Sequence, residues 1–136
     1  MTPTQAWSAI VAGEDAAIYA YSVAGARVSG ADRRTALAGL EAHRRRRSRA
    51  AAIVTAAGGT PPAGSPAYEL PDNVAKAGGA RRLMADVDLA LVAPYAEAAA
   101  VSTTEDRRWA ARCAADCATS AVGWGSDPQA FPVAPS

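Results

Sequence analysis

The sequence predicts an all-α protein, a four-helix bundle in which one long crossover joins helices 2 and 3. Three observations carry that prediction. Four segments keep apolar residues at three-four spacing, and no run alternates with period two over the length of a strand. Alanine fills 37 of the 136 positions while aromatic residues make up only 6%, a composition suited to close-packed helices. Between the second and third segments, Gly58 to Asn73 reads GGTPPAGSPAYELPDN, with four prolines and no helical pattern.

The first helix is expected from about Thr4 to Ser29, with Trp7, Val11, Ile18, Tyr21, Gly25 and Val28 on one face. Ser29-Gly30 ends it, and Asp32 can cap the next helix. The second runs from about Arg33 to Ala57 and stops at Gly58-Gly59. The third runs from about Val74 to Val101, and Pro94 should kink or split it. The fourth starts at Thr103 or Thr104, whose hydroxyl can cap a first turn carrying Glu105 and Asp106, and ends near Gly123. Residues 1–125 then form the bundle and 126–136 a loose tail.

The loop fixes the topology. In extended form its residues reach roughly 50 Å at 3.1 Å each, whereas a helix of about 24 residues is only about 36 Å long. The chain can therefore return along the whole bundle and start helix 3 parallel to helix 2. Short joins make helices 1 and 2, and helices 3 and 4, antiparallel pairs. Two hairpins joined by one long crossover is the ferritin-like arrangement. The bland alternative is a floppy linker, but Tyr68 and Leu70 inside the stretch can pin it to the bundle.

Charge excludes some functions. Fourteen basic residues against thirteen acidic ones leave a formal +1, so no overall field draws the chain to nucleic acid or membrane. No apolar run approaches a membrane span, and Met1 to Ser8 lacks the features of a secretory signal. A cytoplasmic protein with no membrane association is the expectation.

The interior is where the pattern breaks. Glu14 sits in the middle of the helix 1 stripe, and His43 and Arg47 share a face with Leu40, Ala50 and Val54. Asp88 lies one turn from Met84 and Leu91, and Asp116 falls between Cys113 and Ser120. A buried carboxylate must be paired, coordinated or protonated. A di-metal bundle needs two Glu-x-x-His pairs, yet His43 is the single histidine, Leu40 stands three before it, and the nearby Glu41 is about 100° out of place. No cofactor is therefore expected; the alternative is iron or manganese on Glu14, Glu41, His43 and an acid from helix 3 or 4.

The preferred reading is a buried ion network of Glu14, His43, Arg47, Asp88 and Asp116. Five arginines occupy six positions from Arg44 to Arg49 and so point all round their helix. Arg47, one turn beyond His43, is the best placed to turn inward and offer its fork to Glu14, Asp88 or Asp116. The alternative has the arginines snorkelling outward and Glu14 at a wet edge. Arg33, Arg34, Arg45 and Arg49 could also form a basic ridge for nucleic acid, although no recognition motif accompanies them. Cys113 and Cys117, four apart on one helix, read as small buried residues.

Helix 1 reads GEDAAIYAYSVAGARV, helix 2 EAHRRRRSRAAAIV and the crossover GGTPPAGSPAYELP. Together they resemble an actinobacterial ferritin-like family known as domain of unknown function 4439, over about residues 5 to 125. The resemblance implies a ferritin-like four-helix bundle and matches Glu14, His43, Arg47, Tyr68 and Asp116, while Asp15 replaces a neutral polar residue or histidine. It implies no activity. The expected role is structural or interaction-based, as a homodimer or with an unknown protein partner, with Trp7, Trp109, Trp124 and Phe131 supplying contact area. The competing classes are a metal-binding protein or oxidoreductase and a weak nucleic-acid binder.

Overall fold

The computed structural model describes residues 1–65 and 68–128. Four helices, α1 (Pro3–Gly25), α2 (Gly30–Ala56), α3 (Ala77–Val101) and α4 (Thr104–Gly123), account for the fold, with a 3₁₀ turn at Asp72–Ala75 and no strand among the described residues. Residue 131 and most of the expected tail lie outside the described residues.

Capping differs from the sequence expectation at the starts of α2 and α4. Thr2 and Gln5 form a reciprocal capping box at α1. The N-cap of α2 is Ser29, and Asp32 instead bridges to Arg81 across the bundle end at 2.6 Å. At α4 the Thr103 hydroxyl makes no capping bond. The corner is held by Arg107, whose Nε donates to the carbonyls of Ala99 and Ser102 at 3.0 and 2.9 Å and satisfies the end of α3. Pro94 does not split α3, which runs unbroken through it. The carbonyl that Pro94 leaves without a donor is that of Ala90, an exposed residue, so water can take the missing place.

Hydrogen bonds between α1 and α3 give the register directly. Trp7 meets Ser102, Glu14 meets Tyr95, and Tyr21 meets Asp88: each step of seven forward on α1 is seven backward on α3. The two helices are antiparallel. The contacts Gly25–Ala36, Tyr21–Gly39 and Glu14–His43 step backward on α1 as they step forward on α2, so α2 is antiparallel to α1 and parallel to α3. The contacts Asp88–Ser120 and Ala99–Arg107 make α4 antiparallel to α3.

The crossover lies along α1. Gly59 packs against Thr4, Gly64 against Asp15, and the Tyr68 ring centroid is 5.4 Å from that of Tyr19. Leu70 and Val74 then join the core around Tyr21, Met84 and Trp124. At its end, Asn73 presses its carbonyl so closely on Gly79 that no side chain fits there. A second core cluster, around Trp7, Ile10, Val11, Leu91 and Tyr95, fills the other half of the bundle. The ionic centre lies between the two.

Candidate functional site

Glu14, His43 and Asp88 are each no more than 1% exposed, and they meet at the bundle axis. His43 Nδ1 is 2.5 Å from Glu14 Oε2, and Nε2 is 2.8 Å from Asp88 Oδ1. With a carboxylate at each ring nitrogen, both nitrogens donate, and the ring is an imidazolium. Burial alone would pull the His43 pKa down, but the hydrogen bonds to Asp88 and Glu14, reinforced by their charges, push it up to about 9.

The remaining carboxylate oxygens are also occupied. Tyr95 donates to Glu14 Oε1 at 2.6 Å. Asp88 Oδ2 accepts from the Tyr21 hydroxyl at 2.5 Å and from Ser120 at 2.6 Å. Trp124 Nε1 donates in turn to the Tyr21 oxygen at 2.9 Å. The chain Tyr95–Glu14–His43–Asp88–Tyr21–Trp124 thus draws on all four helices or their ends. Both tyrosines are driven far above their usual pKa, first by burial and then by the adjacent carboxylate, so they remain donors.

Two expectations need correction. Arg47 does not enter the centre: its Nε pairs with Asp15 at 2.9 Å and its side chain is 34% exposed. The inward cation is His43. Positions 46 and 47 flank the buried line His43, Ala50, Val54 on opposite sides, which sends Arg47 toward α1 and Arg46 toward α4. Asp116 is likewise outside, 68% exposed and 3.9 Å from Arg46. The buried stripe of α4 runs Ala110, Cys113, Ala114, Cys117, Ala121, and position 116 is about 100° away from Cys117.

Glu41, considered as a metal ligand, pairs with Arg44 on the surface. Among the described residues no group of three or more His, Cys, Asp or Glu side chains is arranged to hold a metal ion. Trp7 and Trp124 are 1% and 5% exposed and their indole N–H groups bond inward, so neither offers the contact area expected of it. Tyr95 and Ser120 escaped sequence reasoning. The signal that could have found the first is matched spacing: Trp7, Glu14, Tyr21 and Asp88, Tyr95, Ser102 both step by seven.

A family model matches residues 6–136. The chain belongs to the family described as Domain of unknown function (DUF4439). No curated protein matches this DUF4439 chain in sequence. It is similar in structure to a conserved hypothetical protein, rv2844, from Mycobacterium tuberculosis, known from a crystal structure. That likeness has a TM-score of 0.84 at 26% identity, covering 90% of this chain and 93% of that one. No helix among the described residues is long and apolar enough to cross a membrane.

Proposed function

We propose that the protein is a ferritin-like scaffold whose central ions are structural, and that it serves as an interaction module, assembling as a homodimer. The observation that supports this is the engagement of both His43 nitrogens by carboxylates, with Tyr95, Tyr21 and Ser120 on the remaining oxygens. An imidazolium thus holds together two carboxylates that would otherwise repel. Glu14, His43 and Asp88 are each no more than 1% exposed and do not line the grooves beside Trp124, Trp7 or Arg46. Self-association would draw on Leu37 and Val122, large apolar side chains 54% and 42% exposed near the same end of the bundle.

A second reading, iron or manganese binding, would use Glu14, His43 and Asp88, which come from three helices but are not arranged to hold a metal ion as they stand. It requires His43 to give up a proton and a carboxylate partner. Elemental analysis of protein grown with added iron and manganese, and purified without chelator or metal-affinity tag, separates the two. The proposal expects a metal content far below one per chain and a Tm unmoved by Fe, Mn or Zn. One or two metals per chain would overturn it and make Glu14, His43 and Asp88 ligands. Light scattering at increasing concentration tests the dimer, and a monomer at all concentrations would remove that part.

A further inference from the structure

The α2 and α4 helices do not close on each other: their Cα atoms stay more than 8 Å apart. The gap is a groove of about 360 Å³ lined by Arg45, Arg46 and Arg49 from α2 and by Trp109, Arg112, Cys113 and Asp116 from α4. Four guanidinium groups face one carboxylate there, a formal +3 in a chain that carries only +1 in total. We infer that this groove binds a small, multiply charged oxyanion of the phosphate class, gripped between the two helices.

The four arginines are not equivalent. Arg49 lies over the Trp109 ring, 4.4 Å from its centroid, which fixes its fork in place. Arg46 is nearly buried, with Asp116 at 3.9 Å, too far for a hydrogen-bonded pair. Arg45 and Arg112 are exposed and have no ion pair among the described residues. Two fixed forks and two free ones, facing across a narrow groove, match the several oxygens of a phosphate group better than a point charge would. Cys113 forms part of the floor. Burial pushes its thiol up to about 11, only partly offset by Arg46, so it stays protonated at neutral pH and the groove is a binding site without a nucleophile.

The same geometry argues against an extended nucleic acid. Arg33 and Arg34 lie eleven or more residues before Arg45, about 16 Å further along the helix. The basic ridge is therefore two separate patches, and the cationic groove occupies only one of them.

Isothermal titration of the full chain with inorganic pyrophosphate, in phosphate-free buffer, tests the inference, with citrate as a carboxylate comparison. One site per chain is expected, with pyrophosphate preferred over citrate. The double variant Arg45→Ala/Arg112→Ala should weaken pyrophosphate binding at least tenfold. Arg33→Ala/Arg34→Ala, which removes the same charge elsewhere on exposed positions, should change it less than twofold. Absence of binding at millimolar pyrophosphate, equal losses in the two variants, or citrate binding as tightly would each overturn the assignment. So would duplex DNA binding more tightly than pyrophosphate.

Discussion

Replacing His43 with Leu removes the one cation that lies between Glu14 and Asp88 and leaves both carboxylates buried. Breaking a buried ion pair in this way costs roughly 3–5 kcal/mol. A chain of 136 residues unfolds with an entropy of roughly 0.3 kcal/mol/K, so Tm should fall by about 10–17 °C at pH 7. The wild-type protein carries a pH signature of the same contact. Its imidazole has a folded pKa of about 9 against 6.5 unfolded. The stabilisation is therefore complete below about pH 6.5 and is lost as pH rises through 9. Between pH 6 and 8.5 the loss is about 2 kcal/mol, or about 7 °C in Tm. Calorimetry across that range checks it, below the region where Cys113, with a pKa of about 11 folded and 9 unfolded, contributes. The His43→Leu variant should lose this slope. Equal slopes in the two proteins, or a nitrogen NMR spectrum showing a neutral His43 ring at pH 7, would refute the reasoning.

The remaining predictions concern the arms of the network and the packing around it. Tyr95→Phe removes one donor from Glu14 and should cost about 1–3 kcal/mol. Tyr21→Phe should cost more, because the Trp124 indole also loses its acceptor; urea titrations of the two variants compare them. Arg47→Leu, which breaks only the peripheral, partly exposed pair with Asp15, should change stability by about 1 kcal/mol, and a loss near that of His43→Leu would contradict the geometry. Gly78→Ala meets open space and should stabilise by about 0.5–1 kcal/mol. Gly79→Ala, one position on, collides with the Asn73 carbonyl and should destabilise by about 1–3 kcal/mol; thermal denaturation of the pair reads both.

Helices and topology were legible because both follow from local and polymeric properties. On the predicted stripe Trp7, Val11, Glu14, Tyr21, Gly25 and Val28 are buried as the spacing indicates, while Ile18 is only half-buried, and the reach of the crossover follows from its length alone. The anomalies Glu14, His43 and Asp88 were visible for the same reason, as polar residues on apolar stripes. Boundaries were less legible. Asp32 and the Thr103 hydroxyl have the chemistry of caps, yet Asp32 is drawn to Arg81 from another helix.

By itself, the sequence determined that four amphipathic helices would form, that a long loop would make the second and third parallel, and that carboxylates would be carried inside. Tertiary structure alone decided which cation would meet them. On an isolated helix, positions 43, 46 and 47 all lie within about one turn, and Arg46, Arg47 and His43 are equal claimants. Packing α1 against α2, with Asp88 reaching in from α3, put His43 on the axis, turned Arg47 to Asp15, and left Arg46 in the gap before α4. Partner choice in a buried network depends on rotation and axial shift between helices, and those quantities exist only once the bundle has closed.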